Sequence, residues 1–244
     1  MRYSVIKIKI FNKIINLLRN SIDKISFESI LNKSFKKGDE FRIIQVGAHD
    51  GVKHDFLSNF LIERDSKGIL IEPINDYYNS LVQNFSKFPN LIKLKIALHC
   101  NLKESIIYKV DPVYEMNLPD WAPGSASFDK NNLIKQKINQ DYIIEEKVSC
   151  STFMDIYNKN YCFEKVDLIQ IDVEGYDFEV IKMIDFDIVK AKIVKFEHRN
   201  LSSADYQSAL ELFSSANYLV VMEGQDSIAY RMSSNIIKLS NFFK

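Results

Sequence analysis

The sequence predicts an α/β protein with an open, mostly parallel sheet and helices on both faces. From residue 41 onward, short apolar runs typical of strands alternate with longer stretches typical of helices. Runs such as "GILIEP" and "VDLIQID" are nearly continuous in apolar residues, as parallel strands buried on both faces are. The end of the chain, "NYLVVMEGQDSIAYRM", predicts two strands joined by a turn at Gly224 and Gln225. This C-terminal antiparallel hairpin is expected at or near one edge of the sheet.

The predicted elements follow one another in a regular order. Short runs rich in apolar residues predict strands at residues 41–48, 68–73, 90–98, 104–110, 145–150, 166–172 and 191–198. The stretches between them predict a helix that opens at Ser151 or Thr152, and helices near residues 52–63, 75–86, 176–184 and 203–215. Residues 111–128, "DPVYEMNLPDWAPGSASF", are rich in proline and aromatic residues, which predicts a loop.

The beginning of the chain predicts an N-terminal amphipathic helical segment, residues 1–37, ahead of a domain at residues 38–244. Basic residues accompany an apolar stripe at helical spacing, formed by Phe11, Ile14, Ile15, Leu18, Ile22 and Ile25. One interpretation is a helix packed on the domain or on a second copy of the chain. The other is peripheral contact with an anionic membrane.

Composition favours a globular protein in a reducing compartment. Lys plus Arg and Asp plus Glu both number 32, so the overall charge indicates no nucleic-acid partner. Cys100, Cys150 and Cys162 are too few and too irregularly spaced for a disulfide framework. The N-terminal segment has no small-residue cleavage site and is interrupted by lysines, unlike a signal peptide or membrane span. The expected location is the cytoplasm, with the inner face of the membrane as the peripheral alternative.

Polar residues follow four of the predicted strands. "VGAHDG" places Gly47 and Gly51 after the first strand, and Glu72 ends "GILIEP" 21 residues after Gly51. The other two strands end in Asp172 with Glu174, and in Glu197 with His198. Because ligands of open α/β sheets bind beyond the carboxyl ends of the strands, these residues predict one site.

The glycines and the carboxylate of this pattern each have a simple chemical use. Glycines let main-chain N–H groups approach an anionic ligand, although a tight strand-to-helix turn would need them as well. The spacing G-x-x-x-G is neither that of a dinucleotide fold nor that of a P-loop. A carboxylate at the position of Glu72 is suited to accept hydrogen bonds from both hydroxyls of a ribose.

Six segments together resemble the FkbM family of S-adenosylmethionine-dependent methyltransferases. They are "VGAHDG", "ILIEP", "IALH", "SASF", "DLIQIDVEGYDFEVIK" and "VKFEH", which occur in the family's order and spacing over residues 40 to 232. The block "IDVEGYDFEVIK" is the most specific of them. The resemblance implies a class I methyltransferase (Rossmann-like) fold, S-adenosylmethionine as cofactor, and O-methylation of a small-molecule or glycan hydroxyl, often on a sugar.

The resemblance also implies which residues bind the cofactor. The methionine part would be wrapped by the first glycine loop, Gly47, Ala48, His49, Asp50 and Gly51. The ribose would be held by Glu72, with Pro73 fixing the turn, and the adenine would be flanked by Ala97 and Leu98. Asp172 would lie beside the sulfonium. Two departures are Gln45, where many class I enzymes have an acid, and His49, which replaces the middle glycine of G-x-G-x-G.

Asp172, Glu174 and His198 are the predicted catalytic residues. A neutral hydroxyl is a poor nucleophile and benefits from a general base. Histidine has an ordinary pKa near neutrality, which favours His198, whereas burial beside Asp172 would make Glu174 a rival. The same three residues would suit Mg²⁺ against a sugar diol, but the spacing does not require it, and no metal is predicted.

The 111–128 loop is expected to form a wall or lid over the acceptor. Tyr114, Trp121 and Phe128 would stack on a sugar, and Ser125 and Ser127 would offer hydroxyls, unless the aromatic residues simply pack on the domain. Two other functions stay open at this point. One is a nucleotide-binding enzyme of another class, such as an NAD-dependent one; the other is a non-catalytic binding or scaffold protein that has kept the fold.

Overall fold

A computed structural model describes residues 26–53, 56–119 and 121–232 of the chain. The apolar stripe predicted between Phe11 and Ile25 lies outside the described residues. Within them, no helix is both long and apolar enough to cross a membrane.

Strands and helices alternate along the described chain. The strands are β1 (Glu40–Val46), β2 (Asp65–Ile71), β3 (Leu91–Leu94), β4 (Ala97–Leu98), β5 (Glu104–Val110), β6 (Ala126–Ser127), β7 (Ile143–Ser151), β8 (Leu168–Ile171), β9 (Ile193–Glu197), β10 (Tyr218–Glu223) and β11 (Asp226–Arg231). The α-helices are α1 (Phe27–Ser34), α2 (Leu57–Ile62), α3 (Asn75–Asn84), α4 (Lys130–Lys135), α5 (Phe153–Asn160), α6 (Asp177–Lys182), α7 (Phe186–Val189) and α8 (Ser203–Ser215). Short 3₁₀ turns occur at Pro112–Asn117, Ala122–Gly124 and Gln140–Tyr142.

Seven strands form the main sheet in the order β10-β11-β9-β8-β1-β2-β3. β1 pairs in parallel with β2 and β8, and the parallel ladder continues to β3 and β9. β11 is antiparallel to both of its neighbours, β9 and β10. The mostly parallel α/β sheet with a closing hairpin is therefore confirmed, and the antiparallel strand lies one place in from the edge.

Apolar residues on the two faces of this sheet bury two layers of helices. Ile43 and Ile44 are adjacent in β1 and fully buried, and they contribute to separate clusters on opposite faces. One face packs against α5, α6 and α8 through residues such as Phe153, Phe178 and Phe213, and the other packs against α1, α2 and α3. Strands buried on both faces explain why the sequence showed apolar runs rather than alternation.

Helix α1 lies within the predicted N-terminal segment but packs on the domain. Ser26 caps it by accepting a hydrogen bond from the N–H of Ser29. Its residues Phe27 and Leu31 are buried in the same cluster as Phe41 and Phe60. Residues 27–34 therefore pack on the domain, and both interpretations of the stripe between Phe11 and Ile25 stay predictions.

The predicted strand 90–98 divides between two sheets. β3 belongs to the main sheet, whereas β4 pairs with β7 in a four-stranded sheet of order β4-β7-β5-β6. In that second sheet Ala97 lies opposite Cys150, and β5 and β7 are antiparallel over their full overlap. Because these partners are about fifty residues apart along the chain, a local pattern did not show the division.

Candidate active site

A cavity of about 810 Å³ opens at the carboxyl ends of β1, β2, β8 and β9. Nine of the twelve predicted cofactor-binding and catalytic residues line it: Gly47, Ala48, His49, Glu72, Pro73, Ala97, Leu98, Asp172 and Glu174. Three others, Asp50, Gly51 and His198, do not. We call the side formed by Gly47, Ala48, His49, Glu72 and Pro73 the glycine half, and the side formed by Glu174, Lys195, Glu197, Glu223 and Asp226 the carboxylate half.

The turn after β1 brings the main chain very close to the end of β8. The N–H groups of Gly47 and Ala48 both donate to the carbonyl of Ile71, at 3.0 and 2.9 Å. Gly47 has φ +80°, and a Cβ there would lie 1.9 Å from the carbonyl oxygen of Asp172. Only glycine fits this position without moving the backbone.

Glu72 is a buried carboxyl fixed by the main chain. It is 5% exposed, its Oε2 accepts from the N–H of His49 at 2.9 Å, and its Oε1 accepts from the N–H of Ile74 at 2.8 Å. Burial raises the pKa of Glu72 to about 7, although the two N–H bonds favour the charged form. The carboxyl group is thus held rigidly in the cavity wall.

His49 connects the glycine half to the 111–128 loop. It adopts φ +50°, which is uncommon for a residue with a side chain. Its ring lies 3.8 Å from that of Tyr77, centroid to centroid, and the hydroxyl of Tyr77 donates to the carbonyl of Pro123 in the loop.

Asp50 and Gly51 stabilise the turn from behind the cavity. One carboxylate oxygen of Asp50 accepts from the N–H groups of Val52 and Lys53, at 2.9 and 2.8 Å. A Cβ at Gly51 would lie 2.4 Å from the ring of Phe85. Both residues therefore act on the shape of the turn in this structure rather than on the cavity surface.

Asp172 lies between the two halves. Its N–H donates to the carbonyl of Val46 at 3.0 Å, which extends the β1–β8 pairing by one residue, and it lines the cavity.

Glu174 lies in a turn between β8 and α6 that combines local hydrogen bonds with contacts from distant residues. Glu174 and Gly175 both have positive φ, +52° and +94°. The Oε2 of Glu174 accepts from the amides of Gln136, at 3.0 Å, and Asn200, at 3.3 Å. Burial raises the pKa of Glu174, and the hydrogen bond from Gln136 opposes the shift.

Glu197 ends β9 and His198 follows it, but the two side chains face different surroundings. Glu197 lines the cavity, whereas Nδ1 of His198 lies 3.1 Å from the hydroxyl of Ser227 and its ring lies 5.2 Å from that of Tyr206. Successive side chains of an extended strand point to opposite sides, which accounts for the separation. Within the residues that the structure describes, no three His, Cys, Asp or Glu side chains are grouped to hold a metal ion.

The 111–128 loop forms part of the cavity wall. Trp121 and Phe128 line the cavity, and Trp121 is 51% exposed. Tyr114 instead stacks on Tyr142 with 4.1 Å between centroids, and Ser125 is buried away from the cavity. Ser127 lines the cavity as well.

Sequence reasoning missed the contribution of α1. Ser26, Phe27 and Glu28 line the cavity, and the N–H of Phe27 donates to Glu223 at 2.9 Å. The signal was the N-cap serine at the start of an apolar pattern, which predicts where a helix begins but not what lies against that end.

A comparison with models of protein families identifies the type of domain. The model of the methyltransferase FkbM domain matches residues 45–220. No curated protein matches the chain significantly.

Several solved structures are similar to the chain at low identity. A fibrillarin/Nop5p complex has 15% identity over 79% of this chain and 73% of that one, with a TM-score of 0.42. The METTL16 methyltransferase domain has 11% identity over 84% and 65%, with a TM-score of 0.47. Precorrin-6y C5,15-methyltransferase from Geobacter metallireducens has 12% identity over 83% and 86%, with a TM-score of 0.40.

The family assignment depends on the domain match, which covers most of the chain and contains all residues of the glycine half and, of the carboxylate half, Glu174, Lys195 and Glu197. The strand order, with its antiparallel β11 beside the edge strand, is that of the class I methyltransferase fold. The chain belongs to the FkbM methyltransferase family and is an S-adenosylmethionine-dependent methyltransferase.

Proposed function

We propose that the chain transfers the methyl group of S-adenosylmethionine to a hydroxyl group of a sugar or glycan. The observation that carries the proposal is the continuity of the cavity. The glycine half, which suits the donor, opens directly onto carboxylates and an exposed tryptophan, which suit a polyol.

The glycine half fits the donor by its shape and its hydrogen-bonding groups. Gly47 leaves the turn without a side chain where the main chain approaches Asp172, so a ligand meets backbone there. Glu72 is held in place to accept hydrogen bonds from a ribose diol, and Ala97 and Leu98 offer a small apolar surface to the adenine. When bound, this donor supplies an electrophilic methyl group on a positively charged sulfur, beside which Asp172 would lie.

The carboxylate half fits a hydroxyl-bearing acceptor. Glu174 and Glu197 present acceptor oxygens at the cavity surface, and the amide of Asn200 links them. Trp121 offers an apolar ring face of the kind on which sugar C–H groups pack. Methyl transfer is an in-line displacement, so holding the hydroxyl in line with the methyl group supplies much of the rate.

The experiment is a methyl-transfer screen with S-adenosylmethionine labelled in its methyl group. The panel contains methyl glucoside, methyl rhamnoside, inositol, nucleotide-linked hexoses and oligosaccharides, together with simple amines and carboxylic acids. We expect label in at least one hydroxyl compound, release of S-adenosylhomocysteine, and no label in the matching deoxy sugar.

Two results would contradict the proposal. The first is label in the amines or carboxylic acids alone. The second is tight binding of S-adenosylmethionine in a calorimeter without product from any compound, which indicates a binding or scaffold protein. Titration with NAD in the same calorimeter separates these results from a nucleotide-binding enzyme of another class.

A further inference from the structure

We propose that Glu197 is the general base that accepts the hydroxyl proton of the acceptor, and that Asn200 and Asp177 position it. This inference rests on the proposed function, because it requires a hydroxyl acceptor. It assigns the role of base to a residue other than Glu174 and His198.

The first support is the place of Glu197 in the sheet. β8 and β9 pair in parallel with Ile171 opposite Phe196, so the next residues, Asp172 and Glu197, follow side by side at the carboxyl ends of the two strands. Both line the cavity at the junction of its two halves. A proton acceptor at Glu197 therefore lies beside Asp172, the residue that would be next to the sulfur of the bound donor.

The second support is the way the carboxylate is held. Its Oε2 accepts a 2.8 Å hydrogen bond from the amide of Asn200, whereas Oε1 makes no hydrogen bond to any part of the chain that the structure describes. One oxygen is thus oriented by a neutral donor, and the other is open to an incoming hydroxyl. Glu174 differs, since two amides donate to its Oε2.

The third support is Asp177, which connects the end of β9, where Glu197 lies, to the turn that carries Glu174. It is fully buried and is not part of the cavity lining. Its Oδ1 accepts from the N–H of Glu197 at 3.1 Å, and its Oδ2 accepts from the N–H of Gly175 at 3.3 Å. One side chain therefore sets the distance between the end of β9 and the turn that carries Glu174, which makes Asp177 a positioning residue.

Electrostatics favours the same residue. Burial raises the pKa of Glu197 to about 7, and repulsion from Asp172 and Glu174 adds to the effect. The other titratable groups near it are the buried Asp177, whose own pKa is raised by burial, and Asp226, which pairs with Lys195 at 2.6 Å. A base whose pKa lies near the working pH is both substantially ionised and basic enough to take a proton.

The methyl transfer balances with the donor and the acceptor and needs no further reactant. As its oxygen forms the new O–C bond, the methyl–sulfur bond breaks with its electron pair left on sulfur, and the hydroxyl proton moves to Oε1 of Glu197. The proton then passes to water when the products leave.

The test compares Glu197→Gln, Glu174→Gln and His198→Ala with the wild type. The acceptor is whichever panel compound the wild type methylates fastest. For Glu197→Gln we expect kcat to fall by about 10²–10⁴-fold and the acid limb of the pH–rate profile, near pH 7, to disappear. The dissociation constant of S-adenosylhomocysteine should change by less than about threefold, since a general base acts on rate rather than on donor affinity. Glu179→Gln, a change of a half-buried carboxylate on α6 that pairs with Lys182 outside the cavity lining, is the matched control.

The positioning residues are tested by shifts of that acid limb. Asn200→Ala removes a donor that favours ionised Glu197, so the limb should move to higher pH while the melting temperature is retained. Asp177→Asn replaces one acceptor oxygen by an NH₂ group, so kcat should fall with little change in donor affinity. Carbon-13 NMR of labelled glutamate, without any acceptor, should show two carboxyls titrating near pH 7, those of Glu72 and Glu197. One of the two should be absent in Glu197→Gln and shifted upward in Asn200→Ala.

The outcomes separate this inference from the proposed function. If Glu197→Gln methylates a hydroxyl at more than about a tenth of the wild-type rate, or keeps the acid limb, the inference is wrong and the proposed function stands. Loss of the limb in His198→Ala or Glu174→Gln instead assigns the base to that residue and overturns the inference. A wild type that is silent across the whole panel overturns both.

Discussion

The two halves of the cavity are built in different ways. The glycine half is fixed by main-chain hydrogen bonds: Gly47 and Ala48 to Ile71, and the N–H groups of His49 and Ile74 to Glu72. The carboxylate half is fixed by side-chain amides and ion pairs, such as Asn200 between Glu174 and Glu197, and Lys195 with Asp226.

This difference indicates which half is expected to determine specificity for the acceptor. Main-chain contacts barely depend on side-chain identity, so the glycine half suits a constant ligand such as the donor. The carboxylate half draws on α1, the loop at 111–128, β9 and the β10–β11 turn, and changing one side chain there changes the surface. That half suits an acceptor that varies from protein to protein.

The largest effect is expected from Gly47→Ala, which disrupts the main-chain turn of the glycine half. The new Cβ would lie 1.9 Å from the Asp172 carbonyl oxygen, so backbone must move. We expect donor affinity, measured by calorimetry, to fall more than about 100-fold, or roughly 2.8 kcal/mol. The control is Gly38→Ala, which has a similar φ of +82° but nothing within 4 Å of its Cβ; it should cost only about 1–2 kcal/mol of folding stability and leave donor affinity unchanged. Equal donor affinity in both variants would show that the close approach at Gly47 does not matter.

The next effect is a dependence of stability on pH. The pKa of Glu72 is raised to about 7 in the folded chain, so folding favours the protonated carboxyl. Its contribution is fully present below pH 4.5 and is lost as pH rises through 7, and for so buried a group it amounts to at most about 3 kcal/mol. Urea unfolding of the ligand-free protein should give this decline, and Glu72→Gln should flatten it. An increase in its contribution across this range would contradict the assignment.

Glu72→Gln is expected to have an intermediate effect on donor binding. A glutamine has one acceptor oxygen, so either the N–H of His49 or that of Ile74 loses its partner, at a cost of about 1–3 kcal/mol. We expect the donor to bind about 10–100-fold more weakly by calorimetry. Glu146→Gln, which alters a carboxylate outside the cavity lining, should bind the donor normally. Normal binding by Glu72→Gln would remove the ribose role.

The smallest effect is expected from Tyr77→Phe, which tests whether the 111–128 loop contributes to donor binding by the glycine half. It removes the hydroxyl that donates to Pro123 but keeps the ring against His49. We expect a loss of about 1 kcal/mol in folding stability and a change in Trp121 fluorescence, with donor affinity nearly unchanged. Tyr114 lies on the 111–128 loop, as Pro123 and Trp121 do, but stacks on Tyr142. Tyr114→Phe should therefore leave the Trp121 fluorescence unchanged. A large loss of donor affinity in Tyr77→Phe would show that the loop belongs to the glycine half.

Local features of the chain were predictable because their causes are local. Gly47 and Glu72 directly follow strands whose apolar runs are visible in the sequence, and parallel strands bring such residues to the same edge. The strand at 104–110 and the helix at 203–215 were predicted with the bounds that the structure shows. The division of residues 90–98 was not, because it depends on pairing with β7.

The sequence by itself determined the fold class, the family and the residues that end the strands of the glycine half. Each depends on apolar periodicity and on short motifs, which are written in neighbouring residues. Only the tertiary structure decided that Glu197 rather than His198 enters the cavity, that Asn200 reaches Glu174 across 26 positions, and that α1 closes one side. The physical reason is that a side chain's partners are chosen by how distant elements pack, and no local pattern encodes that choice.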